Sequence, residues 1–211
     1  IDNIEEILLK IKKKLKKNKI NILDGFTGST VVARMFSYHA ENLYTNDLEK
    51  YSYIMSHSFL TIPSNKNKKL INEHIKNINN FISKKDNLKC GLITKNYCPK
   101  NSNKIKKDER CFYTKENGLI IDTINDYINN KIDNNLKYYI LSQLLIKASI
   151  HTNTSGIFKA FYKDKNTGIG IWGGTGQNAL TRIKKTIKLD EIIWNNTNTY
   201  THHNFNEDIN L

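Results

Sequence analysis

The sequence predicts an α/β fold, a parallel sheet with flanking helices, interrupted by a basic and mostly helical insertion. Three observations carry that prediction. A short apolar run at Ile20–Leu23, a turn, a helical run at Ser29–Phe36, a second strand-like run at Asn42–Asp47 and a further helical run follow one another. Such β-α-β-α order implies parallel strands joined by crossovers. The first turn, "DGFTGS", holds two glycines three apart between strand and helix. The charge is also uneven: residues 1–60 hold 9 Lys and Arg against 7 Asp and Glu, residues 61–187 hold 23 against 9, and residues 188–211 hold 1 against 4. Residues 1–60 and 188–211 are therefore expected to build the core, and residues 61–187 the insertion.

In chain order, residues 2–17 read as an amphipathic helix. Ile4, Ile7, Leu8, Ile11 and Leu15 fall on one face, with lysines on the other and at the C-terminal end, where the helix dipole favours them. The helix after the glycine turn is expected to point Val31, Val32, Met35 and Phe36 inward. Beyond Pro63 the chain turns polar and lysine-rich to residue 110, with an amphipathic helix near Leu70–Ile82. Leu136–Ile150 reads as a strongly apolar helix, the core of the insertion. Residues 164–178 read as glycine-rich loop, in which "GIGIWG" follows no strand and so serves as flexible connection rather than a dinucleotide fingerprint. "IIWNNTNTYTHHNF" has strand character and returns the chain to the sheet.

The bulk properties exclude several classes. No apolar run approaches a membrane span, so no membrane partner is expected. Three cysteines without C-x-x-C spacing suit free thiols in a reducing cytoplasm. Adjacent His202 and His203 on a strand point to opposite faces, which argues against a metal site. A net charge of +13 concentrated mid-chain points to a polyanion such as nucleic acid. Lysine-, asparagine- and isoleucine-rich coding is the alternative source of that charge, although it does not explain why the two ends escape it.

In a strand-turn-helix unit the turn lies at the carboxyl edge of the sheet, where ligands bind. Gly25 and Gly28 let backbone pass close to a ligand, and the following helix offers free N–H groups. Asp47 ends the second strand 19 residues after Gly28, where a carboxylate accepts from the hydroxyls of a ribose. Asp24 would repel a pyrophosphate but suits an ammonium group. The cofactor this favours is S-adenosyl-L-methionine; an ordinary α/β turn with a capping carboxylate is the plainer alternative.

At this point the residues resemble a family. "LDGFTGSTVVARMF" with "LYTNDLEKYSYIM", "LITKNYCPK", "DERCFYT" and "ASIHTNTSGIFKAFYK" are similar to the D12-class (Dam-like) adenine-specific DNA methyltransferases. The resemblance covers nearly the whole chain. It implies a Rossmann-like S-adenosylmethionine-dependent methyltransferase core, methyl transfer to adenine N6 in double-stranded DNA, and membership of a restriction-modification system with a cognate restriction endonuclease as partner. It implies that Asp24, Gly25, Phe26, Thr27 and Gly28 line the methionine end of the cofactor. Asn46, Asp47 and Leu48 would hold the ribose, and Asp208 would meet the adenine ring.

Two departures stand out. Thr30 replaces a glycine usual in the family's turn. The Asp-Pro-Pro-Tyr catalytic motif is absent, since Pro63 and Pro99 are not adjacent. The catalytic residues are therefore unassigned, and the chain reads as a piece that is inactive alone. An inactive fragment that binds DNA or cofactor is the alternative, as is RNA or protein methylation on the same core. For DNA contacts the segment after the apolar helix supplies His151, Asn153, Ser155, Lys159 and Lys163; a plain helix-terminal loop with core aromatics is the competing reading of the same residues.

Overall fold

The computed structural model describes residues 1–154, 160–173, 177–194 and 199–210. Internal contacts divide the chain into two compact units, Ile1–Ile71 with Ile192–Leu211, and Asn72–Glu191.

The first unit is α/β. Helix α1 (Asp2–Leu15) precedes β1 (Ile20–Asp24), α2 (Val31–Phe36), β2 (Ala40–Asn46) and α3 (Lys50–Leu60), and the chain returns late as β3 (Thr201–Phe205). Among the described residues the sheet has the order β1-β2-β3, and both pairings are parallel. All three strands therefore end at one edge. The core is Leu8, Ile22, Ala33, Met35, Ala40, Leu43 and Leu60, with Ile20, Val32, Phe36, Phe59 and Tyr200 packed against it.

One expectation about this core is corrected. Ala33, not Val31, is the buried partner of Met35 in α2; Val31 sits at the exposed N-terminal end of a helix only six residues long. On α1 only Leu8 is buried, while Ile4, Ile7, Ile11 and Leu15 remain exposed. The 3.6-residue period locates an apolar face but does not say that anything covers it.

Polar groups tie the sheet to α3. His202 is held between the Thr45 hydroxyl at 2.8 Å and the Thr61 hydroxyl at 2.9 Å, and Asn204 donates to the Tyr53 carbonyl at 2.9 Å. His203 turns to the other face and stacks on Tyr44, its partner in register, with ring centroids 4.6 Å apart.

Helix α4 (Asn65–Ile82) buries Ile71, Ile75, Ile78 and Ile82, one face at helical spacing. The second unit continues with α5 (Leu92–Tyr97), α6 (Lys115–Lys131), α7 (Asn134–His151) and α8 (Gln177–Lys184). Helix α6 was not anticipated from the sequence, although its signals are present. Thr114 caps it by accepting from Asn117 N–H at 3.2 Å, and Ile120, Ile121, Ile124 and Ile128 form its buried face. Gly118 lets α5 and α6 approach, because a Cβ there would lie 2.3 Å from Cys98 Sγ. Asp122 of α6 receives the N–H groups of Gly91, Ile93 and Thr94 at 2.8–2.9 Å, satisfying the start of α5.

The glycine-rich segment is also more ordered than a flexible connection. Lys163 bridges Gly170 in antiparallel fashion, and Asp164 closes the turn by accepting from Asn166, Thr167 and the Thr167 hydroxyl. Gly168 and Gly173 occupy the left-handed region at φ 68° and 73°. Among the described residues the returning strand is Thr201–Phe205.

Candidate functional site

At the carboxyl edge of the sheet three segments meet, and hydrogen bonds lock them together. Thr27, 6% exposed, donates its N–H to the Asn46 carbonyl at 3.1 Å. Its hydroxyl lies 3.0 Å from the Asp24 carbonyl and 3.1 Å from that of Asn46. Gly28 N–H donates to Asp47 Oδ2 at 2.8 Å, and Glu49 N–H donates to Asp47 Oδ1 at 2.9 Å. The buried Asn46 amide clasps the Glu207 backbone, donating to its carbonyl and accepting from its N–H, each at 3.0 Å. Asn206 Nδ2 donates to the carbonyls of Asp47 and Leu48. Asp208 is exposed and accepts from the N–H and side chain of Asn210. The structure thus brings Asp24–Gly28, Asn46–Leu48 and Asp208 to one place.

The backbone conformations explain the residue types. Gly28 has φ 53° with open space around the position of a Cβ. Thr30 also adopts the left-handed region, at φ 68°, and is fully buried. A β-branched residue there carries backbone strain that glycine would not. At Gly25 a methyl group would lie 2.5 Å from Ile209 Cδ1, so the end of that exposed side chain would have to move aside. Ile209, Asn206 and Glu207 carry no separate sequence signal, although they flank Asp208 on the same short segment.

The electrostatics centre on Asp24. Its Oδ2 is buried and, among the described residues, has no hydrogen-bond partner. Burial raises the Asp24 pKa, the Phe26 backbone N–H pulls it back, and the charge of Asp47 adds to the rise. A carboxylate in this position is improved by an arriving cation. Phe26 and Leu48, 79% and 70% exposed, present apolar surface at the same edge. The donors and acceptors here are hard oxygen and backbone groups. Among the described residues no group of three or more His, Cys, Asp or Glu side chains is placed to hold a metal ion.

Comparison with known proteins adds an independent line. The chain is 27% identical over 148 residues to the Type II methyltransferase M.NlaIII of Neisseria lactamica, a match covering 67% of this chain and 40% of that protein. It is 25% identical over 160 residues to the Type II methyltransferase M.CviAII of Paramecium bursaria Chlorella virus 1, covering 74% of this chain and 45% of that protein. The chain thus spans less than half the length of these curated relatives. No protein-family profile matches it, and no solved structure matches it.

In the second unit the residues expected at DNA divide. Ser155 and Lys159 lie outside the described residues. Lys163 is exposed, with its ammonium 5.0 Å from the Phe161 ring centre. Phe161 itself packs edge-on against Phe112, which meets Tyr97, so these aromatics pack against one another. Asn153 is fully buried: it donates to the carbonyls of Cys111 and Ile171 at 2.8 and 2.9 Å and accepts from Gly173 N–H at 2.9 Å. It clamps three segments beneath the surface. His151, 5% exposed, donates from Nδ1 to the Arg182 carbonyl at 2.6 Å. The Arg182 guanidinium in turn donates to the carbonyls of Ile150 and Thr152 and caps the end of α7.

Proposed function

We propose that this chain is the cofactor-binding part, with a Rossmann-like core, of an adenine-specific DNA methyltransferase that uses S-adenosyl-L-methionine. The observation that carries the reading is the buried, unpartnered Asp24 oxygen beside a turn whose glycine is open to approach. Asp24 would hold the cofactor's ammonium group, with Gly25 to Gly28 passing beneath it. Asp47 already receives two backbone N–H groups, which orient its carboxylate. Its remaining lone pairs are free to accept from ribose hydroxyls. Phe26 and Leu48 offer apolar surface to an adenine ring, and Asp208 a carboxylate to its amine.

The cofactor would supply a methyl group on a good leaving group, so catalysis reduces to positioning. The target base must leave the duplex to be reached. The two Type II methyltransferase relatives support a place in restriction-modification; on the proposed reading duplex DNA is the substrate, a cognate endonuclease the partner and the cytoplasm the site of action.

A second reading, binding without turnover, is favoured by one specific observation: no Asp-Pro-Pro-Tyr occurs in these 211 residues. Calorimetry with S-adenosylmethionine, followed by transfer of labelled methyl to duplex DNA, tests both. Uptake of the cofactor by the folded chain, weakened at least tenfold in Asp47→Ala, is expected, and transfer by the chain alone is not. Absence of uptake by folded protein overturns the cofactor assignment.

A further inference from the structure

We propose that a cleft in the second unit, lined by α7, α8 and the segment after them, seats the phosphodiester backbone of the duplex DNA; this rests on the functional reading above. The cleft encloses about 600 Å³ and is lined by Lys147, Ile150, His151, Thr181, Arg182, Lys185, Thr186, Lys188 and Asp190. Among the described residues four permanent cations face one carboxylate, and no aromatic side chain lines the cleft apart from the His151 imidazole, which is already bound to the Arg182 carbonyl, so it suits phosphates and not stacked bases.

What distinguishes this cleft from the many lysines elsewhere is the rigidity of its floor. Along Thr186–Asp190 burial alternates, with Ile187 and Leu189 inside and Thr186, Lys188 and Asp190 outside, and Lys185 before them is exposed as well. Two asparagines fasten that strip to the unit. Asn117, fully buried, donates to the carbonyls of Ile183 and Lys185 and accepts from Ile187 N–H at 3.0 Å. Asn79 clasps Leu189, donating to its carbonyl at 2.9 Å and accepting from its N–H at 3.0 Å. The Lys76–Glu191 pair at 3.4 Å holds the end of the strip.

Lys185 and Lys188 therefore project from fixed backbone, and among the described residues neither is ion-paired with a carboxylate. Opposite them, Lys147 has only 16% of its side chain exposed and meets Asp190 at 2.6 Å. Asp190 is 70% exposed and, among the described residues, is the one group in the cleft that repels a phosphate. Cations on fixed backbone lose less freedom when they bind. Another lysine-rich concavity, around Lys95, Lys100 and Lys106, contains Asp108 and Glu109, and Glu109 is already engaged by the backbone N–H groups of Lys100 and Lys106; a further one sets Lys85, Lys100 and Lys115 against Glu116.

Fluorescence anisotropy of the 211-residue chain on a labelled duplex, over a series of salt concentrations, tests the assignment. The Lys185→Ala/Lys188→Ala double variant is expected to flatten the plot of log affinity against log salt by about 2, roughly 0.9 for each phosphate no longer neutralised, and to weaken binding about tenfold at moderate salt. Asp190→Asn is expected to tighten binding several-fold, a change in the opposite direction that a merely structural role would not produce. The Lys185→Arg/Lys188→Arg variant should restore the slope, and Lys10→Ala/Lys14→Ala on α1 should leave it unchanged. A wild-type slope in the alanine pair overturns the cleft while leaving the DNA reading intact. Failure of the wild-type chain to bind duplex at low salt overturns the cleft and the DNA reading together. Displacement of the duplex by millimolar inorganic phosphate in wild type and in the alanine pair alike also overturns the cleft.

Discussion

On the proposed reading, Asp24 sets stability against function at a single carboxylate. Its folded pKa lies above the ordinary value, chiefly through burial. The folded state then holds the proton more tightly than the unfolded chain, so stability falls as pH rises through that range, and the full penalty stands above the folded pKa. Asp24→Asn should therefore raise the melting temperature at pH 8, lose that advantage near pH 4, and weaken S-adenosylmethionine uptake at least tenfold. Melting curves at the two pH values with calorimetry check both halves; a variant that melts lower at pH 8 would contradict the assignment of an unsatisfied charge. The cysteines give a second residue-scale test. Burial pushes Cys98 up to about 12 and Cys111 up to about 11, whereas Cys90 is exposed. Native protein should react at one thiol with a disulfide reagent and at all three after denaturation, because only the thiolate reacts.

At the scale of elements, the join between β2, β3 and α3 depends on His202. Burial lowers its pKa to about 4, with the nearby His57 and His203 adding to the effect. A group that binds its proton less well when folded contributes stability above the unfolded pKa, which is lost as pH falls from about 6.5 towards 4. Each pKa unit corresponds to about 1.4 kcal/mol, so the loss is on the order of 3 kcal/mol. Denaturant titrations at pH 7 and pH 4.5 should show it, and His202→Gln should flatten the difference. The sequence showed the two histidines as adjacent strand residues, which was enough to separate their faces. It did not show that one would meet the Thr45 and Thr61 hydroxyls, because those partners lie 157 and 141 residues away. Helix α6, by contrast, could have been read from Thr114 and the spacing of its isoleucines.

At the scale of the molecule, the first unit leaves apolar surface uncovered. Among the described residues strand β1 is an edge of the sheet, with Leu23 61% exposed, and beside it a groove is lined by Leu8, Ile11, Leu15, Ile20, Ile22 and Phe36. Exposed apolar surface of this extent promotes association, as do unpaired strand edges. The isolated chain should bind the dye ANS strongly at neutral pH. Ile7→Lys combined with Leu23→Lys should reduce that fluorescence by more than half without lowering the melting temperature. Undiminished fluorescence in the double variant would place the dye elsewhere.

The sequence by itself determined the order of strands and helices around the glycine turn, and the pairing of an acidic turn with an acidic strand end 19 residues on from Gly28. Both follow from local rules, since strand period, helix period and glycine's freedom act within a few residues. It also placed Asp208 beside them through resemblance. The tertiary structure alone decided that Asn153 and His151 are buried clamps and caps, that Asp47 is held by Gly28 and Glu49, and that Lys147 faces Lys185 and Lys188 across one cleft. Those facts depend on which distant backbone groups remain unsatisfied and which side chain reaches them first. That competition is settled by packing, not by spacing along the chain.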